Sequence, residues 1–156
     1  MGLRLCPYQN VIDALALLLR IAGAGLIALS VAHIPIGKHL KWSEDAARLS
    51  PVNASIFRVH TLFICLVLVM MGLPCLLDPM VFLEKSRAAA WLSWSFAVFW
   101  MTRLYVQWFV YQADLWRGKR METFVHWWFT FIWSVLALLF TACGVFQFGW
   151  FPNVFH

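Results

Sequence analysis

Charge is what this chain most lacks. Only 12% of its 156 residues are Asp, Glu, Lys or Arg, while 63% are hydrophobic. Mean hydropathy is +0.77. Soluble domains carry about 25% charged and about 45–50% apolar residues. A water-exposed globule is therefore excluded. The chain also has no internal repeat, no low-complexity tract and no stretch polar enough for a separate soluble domain. The net charge of +5 does not imply a nucleic-acid partner, because the basic residues flank apolar runs.

Several chemical signatures are missing as well. There is no CxxC pair, which argues against a membrane thiol oxidoreductase of the vitamin K epoxide reductase type. The spacings HxxxH, HxxHH and ExxH do not occur, which sets aside the histidine boxes of membrane desaturases and hydroxylases. Four-span multidrug exporters need an acidic residue deep in their first span, and here that depth holds Arg20. The first apolar run does not read as a signal peptide. It is too long, Asp13 and Arg20 interrupt it, and only Arg4 supplies a basic start.

What remains is four apolar runs, at about 11–33, 52–77, 88–113 and 121–148. Each reaches the roughly 20 residues that a helix needs to cross a bilayer. They predict an all-α integral membrane protein, an up-down four-helix transmembrane bundle forming one domain over 1–156. Ten Trp, three Tyr and fourteen Phe suit a bilayer and its headgroup boundary. Pro35 and Gly37 should close the first helix. Ser50 and Pro51 suit the cap and first turn of the second, and Asp78-Pro79 its end. Ser86 suits the cap of the third, and a turn at Arg117-Gly118-Lys119 precedes the fourth. Connections of about 18, 10 and 7 residues make neighbouring helices antiparallel.

Orientation follows from Lys and Arg beside the spans. One side has Lys38, Lys41, Arg48, Arg58, Arg117, Lys119 and Arg120, the other Arg4, Lys85 and Arg87. Seven against three predicts both termini outside a bacterial-type inner membrane. Cys6 and Cys75 both fall toward the outer side, where a disulfide would be allowed but is not required. Cys65 and Cys143 lie within spans.

Polar residues recur at helical spacing. Arg103, Gln107, Tyr111 and Asp114 make one stripe, and Glu122, His126, Thr130, Ser134, Ala137 and Thr141 another. Asn53, Phe57, His60 and Ile64 share a face. Asp13 and Arg20, seven apart, could meet only if both side chains bend. A charge facing lipid at the centre of a span is unfavourable by roughly 2.5–3.5 kcal/mol, so the stripes are expected to turn inward. Thr130, Ser134 and Thr141 suit hydrogen bonds between helices. Arg103 lies too deep to reach the headgroups fully, and Asp114 is roughly 16 Å away along the axis. Arg103, Gln107 and Tyr111 are thus candidates to hold an anionic group of a ligand or cofactor, such as a porphyrin propionate. Arg20 reads more simply as structural.

Alternating helix directions bring His33, His60, His126 and Asp114 to one end of the bundle. Imidazole is the commonest metal ligand, and bundles build metal sites from facing helices. Candidate metal ligands are therefore His33, His60, His126, Glu122 and Asp114, for a transition metal ion. Two opposed histidines could instead hold haem. His39 and His156 are expected to face solvent. Three functions follow: a metal- or haem-bearing, redox-capable membrane protein; a non-catalytic structural or assembly subunit; or a small anion transporter. No catalytic residue is assigned. The expected surroundings are the lipid bilayer and other membrane subunits or further copies of the chain. The small residues Ala22, Gly23, Gly25 and Ala28 permit close helix contact.

Overall fold

The computed structural model describes residues 7–112, 114 and 116–147. All regular structure among them is helical. The long helices are α1 (Pro7–His39), α3 (Pro51–Leu77), α4 (Arg87–Tyr105) and α5 (Arg120–Gln147). A short helix, α2 (Trp42–Ala47), sits between α1 and α3, and a 3-10 turn (Pro79–Phe82) follows α3. A π-helical turn (Val106–Val110) continues α4.

The helix ends follow local chemistry. The Ser50 hydroxyl accepts from the Asn53 N–H at 3.4 Å, and Pro51 takes the first helical position. Ser86 caps α4 in the same way, accepting from the Ala89 N–H at 3.0 Å. Both use the hydroxyl to satisfy an orphan amide of the first turn. Asp78 leaves the helical conformation and ends α3. Gly118 takes φ +83°, which a residue without Cβ adopts freely. The first expectation to fail is the end of α1. Pro35 and Gly37 do not stop it, and it runs to His39. Proline deletes one hydrogen bond but its φ is helical, so one further turn can follow. The chain reverses at Lys41, with φ 56°.

Three helices, α1 from Gln9, α3 and α5, are long and apolar enough to cross a membrane. The α4 segment is not among them, although an apolar run was expected over 88–113. Its tryptophans, hydroxyls and Arg103 dilute the aliphatic content, and regular α-helix ends at Tyr105.

The chain divides into two compact units, one of Leu19–Pro79 and one that joins the residues up to Leu18 with those from Met80 onward. In the first, Leu19, Gly23, Leu26 and Ser30 are buried at spacings of four, three and four, one face of a helix. That face meets α3. A Cβ on Gly23 would lie 2.6 Å from the Gly72 carbonyl oxygen, and one on Gly72 would lie 2.9 Å from that of Gly23. Only paired glycines allow such an approach. The Ser30 hydroxyl donates across it to the Cys65 carbonyl at 2.9 Å.

In the second unit α4 packs on α5. Ala89, Ser93, Ala97 and Trp100 are buried at spacings of four, four and three. Small residues at three of these positions admit large rings. Phe82, Phe96 and Phe140 form a mutual cluster with centroids 5.0–5.5 Å apart. Gly144 leaves room for Trp94, whose ring would stand 2.8 Å from an added Cβ. Gln147 Nε2 donates to the Phe82 carbonyl, tying the end of α5 to the 3-10 turn.

Candidate functional site

The polar side chains of α4 and α5 converge on Gln107. This residue lies in the π-helical turn, where the Tyr111 N–H reaches back to the Val106 carbonyl at 3.3 Å. π-turns inside helices frequently mark functional positions. Gln107 is 4% exposed. Arg103 Nη1 donates to Gln107 Oε1 at 3.2 Å. Gln107 Nε2 in turn donates to His126 Nδ1 at 2.9 Å and, more weakly, to the His126 carbonyl at 3.4 Å. The Thr130 hydroxyl donates to the same carbonyl at 2.8 Å.

The chain of bonds fixes its own proton positions. Arginine has donors only, so the Gln107 oxygen must face Arg103. The Gln107 amide nitrogen then faces His126, and Nδ1 must accept. Neutral His126 therefore carries its proton on Nε2. Trp116 stacks on the imidazole, with centroids 3.8 Å apart and planes 12° from parallel. The Arg103 guanidinium lies 5.5 Å from the Tyr111 ring centre and 5.3 Å from that of Trp133. Trp133 stacks in turn on Trp100 at 4.9 Å. Such cation–π contacts contribute more where water is excluded.

Donors outnumber acceptors here. Among the described residues Arg103 meets no carboxylate, and one of its five N–H groups reaches Gln107. At this cluster the buried indole nitrogens of Trp100 and Trp133 have no hydrogen-bond partner; Ser93, Trp94 and the Gln147 oxygen, also without one, lie toward the other end of α4 and α5. An unpaired buried donor is unfavourable by about 1–3 kcal/mol.

Arg103, Gln107 and Tyr111, expected together from their spacing, are together, and His126 joins them. The other expected residues are each exposed or bonded within their own helix. Asp114 and Glu122 are exposed, and neither bonds to this cluster. His33 Nδ1 bonds to its own helix at the Leu29 carbonyl, 2.8 Å away, and His60 Nδ1 to that of Ile56 at 3.0 Å. A carbonyl only accepts, so both carry the proton on Nδ1, opposite to His126. His60 and its companions Asn53, Phe57 and Ile64 lie on an exposed face of α3, not the inward face expected. No group of three or more His, Cys, Asp or Glu side chains gathers to hold a metal ion among the described residues.

Other expected pairings also resolve. Thr130, Ser134 and Thr141 bond to carbonyls four residues back in α5 instead of to another helix. Asp13 accepts from Gln9 at 3.1 Å rather than from Arg20. Cys6, Arg4 and His156 lie outside the described residues. Sequence reasoning passed over Trp116 and Trp133. Trp133 could have been found, since it follows His126 by seven residues on the same helix face.

The fold is therefore a helical one, with three helices long and apolar enough to cross a membrane and a hydrogen-bonded arginine–glutamine–histidine cluster between α4 and α5. No family model, curated protein or solved structure matches the chain.

Proposed function

We propose that this membrane protein binds an anionic group, a carboxylate or phosphate, at Arg103. The observation that carries the reading is the donor excess around Arg103, Trp100 and Trp133. An anion brings several lone pairs and no donors, which is what these groups want. Tyr111 and Trp133 would flank the bound group, and Gln107 would report its arrival to His126. A metal or haem site on His33, His60, His126, Glu122 and Asp114 has weaker support. Gln107 holds His126 in the tautomer whose Nε2 lone pair is not available, opposite to what a metal-ligating ring needs.

We place the cluster within a four-pass bundle and a single membrane domain. The fourth crossing would be α4 with the π-turn, whose 19 and 5 residues span roughly 36 Å. The charge bias supports both termini outside an inner membrane.

Purified protein in a mild detergent tests the anion reading by thermal shift. Octanoate and octyl phosphate should raise the Tm of the parent, and octanol should not. Arg103→Lys should weaken the response, because lysine lacks the planar fork. Arg103→Leu should abolish it, and a retained helical circular dichroism spectrum would show that the variant still folds. A full response in Arg103→Leu sinks the reading. A porphyrin spectrum or stoichiometric metal in the parent would return the histidine site to the lead.

Arg20 favours a second reading, that of a subunit in a larger assembly. It is exposed on α1, about eleven residues into a candidate span. Lipid is a poor neighbour for it. A carboxylate on another subunit or another copy would suit it, and crosslinking from a cysteine at Ala24 in native membranes would show such a neighbour.

A further inference from the structure

The connection between α1 and α3 carries an open groove of about 380 Å³, within the usual size range of ligand sites. It lies wholly inside the Leu19–Pro79 unit. Trp42, Ala46 and Ala47 of α2 form one side, and Ala54, Phe57 and Arg58 of α3 the other. Trp42 stands edge-on to Phe57, with centroids 5.9 Å apart and planes at 84°. Buried Ala46 and Ala54 let the two helices approach. The walls are thus mainly apolar with one cation. Arg58 Nε donates to the Ala54 carbonyl at 3.3 Å, which anchors the base of the guanidinium. Its terminal nitrogens have no partner among the described residues.

Charge and position narrow the occupant. Residues 38–58 contain Lys38, Lys41, Arg48 and Arg58 against Glu44 and Asp45, a net charge of +2. Lys41 and Glu44 are 3.5 Å apart and partly cancel, and both are well exposed. The groove adjoins the end of one candidate span and the start of the next, the level at which headgroups and tryptophans collect. An apolar trough with a cation at headgroup level fits an amphiphile with an anionic head.

We propose that this groove holds one anionic phospholipid, with an acyl chain along the Trp42–Phe57 wall and the phosphate on Arg58. The juxtaposed basic residues would favour it several-fold over a zwitterionic lipid.

The full chain in detergent can be titrated with dioleoyl-phosphatidylglycerol, dioleoyl-phosphatidylcholine or inorganic phosphate, reading Tm and counting retained lipids by native mass spectrometry. Phosphatidylglycerol should raise the Tm and remain bound at one per chain. Phosphatidylcholine should bind several-fold more weakly, and inorganic phosphate should do nothing. Arg58→Gln should weaken phosphatidylglycerol about fivefold, whereas Arg117→Gln, an exposed arginine elsewhere, should not. Ala47→Trp should fill the trough and remove binding; residue 47 is exposed, so the lipid-free Tm should hold. Equal binding of the two lipids overturns the proposal, as does an effect of inorganic phosphate equal to that of the lipid. An undiminished response in Arg58→Gln overturns it too. Lipid-insensitive dimers that Ala47→Trp dissociates would assign the groove to a second copy instead.

Discussion

The α1–α3 pair and the α4–α5 pair differ in what their buried polar groups leave unmatched. In α3, Ser55, His60 and Thr61 each bond to a carbonyl four residues back, and in α1 so does His33. These side chains are satisfied within their own helix and make no demand on a neighbour. What joins α1 to α3 is mainly shape, above all Gly23 against Gly72, with the Ser30 hydroxyl donating across to the Cys65 carbonyl. In α4–α5 the hydroxyls of Ser95, Thr102, Thr130, Ser134 and Thr141 also bond within their own helix, but Gln107 reaches across. Arg103 binds Gln107 and Gln107 binds His126, nineteen residues on, while buried indoles nearby keep unmatched donors. A self-satisfied polar group is compatible with pure packing. Unmatched donors invite a ligand, which is why the proposed anion site falls at α4–α5.

The sharpest way to break this comparison is to attack the shape. In Gly23→Val a Cβ would meet backbone on α3, 2.6 Å from the Gly72 oxygen and 2.7 Å from the Leu76 nitrogen. Backbone cannot rotate aside as a side chain can. Overpacking of this kind destabilises by about 3 kcal/mol. A Cβ on Gly25 meets nothing within 4 Å, so Gly25→Ala should be neutral or gain up to about 1 kcal/mol from helix propensity. Titration with a denaturing detergent, read by circular dichroism, measures both. Equal stability of the two variants would refute the glycine crossing.

A smaller effect is expected in the other pair. Gln107→Leu keeps the volume but leaves both Arg103 and His126 Nδ1 without their partner. The expected loss is about 2 kcal/mol. The same variant should free His126 to change tautomer. Nitrogen-15 spectra of histidine-labelled protein, taken where the rings are neutral, should show His126 Nδ1 unprotonated in the parent, and His33 and His60 Nδ1 protonated. A protonated Nδ1 at His126 in the parent would dissolve the relay.

Much of this was legible in the sequence wherever the cause is local. Ser50 with Pro51, Ser86, Asp78 and Gly118 mark helix ends because capping and positive φ are decided within four residues. The Arg103–Gln107 pair was legible because its members are one turn apart; Tyr111, expected on the same period, stands just past the π-helical turn in extended conformation and meets Arg103 through its ring. The partnership of Gln107 with His126 was not, since it depends on how α5 is rotated against α4. The histidine convergence was expected from helix direction alone. Direction gives depth, but says nothing about which way a ring points or whether its own helix already satisfies it. The six residues of α2 are too few to show a period, and α2 supplies half of the Arg58 groove.

The smallest effect is expected at His60, and it separates the two pairs most cleanly. His60 is exposed, and its Nδ1 is satisfied by the Ile56 carbonyl. Removing it deletes one side-chain bond and leaves the backbone bonds of α3 untouched. His60→Ala should therefore change stability by no more than about 0.5 kcal/mol, the usual range for surface positions. Alanine also has the higher helix propensity, which offsets part of even that loss. His126→Ala is the matched comparison. It should lose about 1–2 kcal/mol, because Gln107 then keeps a buried, unmatched N–H and Trp116 loses the ring it stacks on. Neither variant should alter metal content. If both instead lose a metal that the parent carries, in equal proportion, then the two histidines share a centre and the division between self-satisfied and cross-linked helices fails.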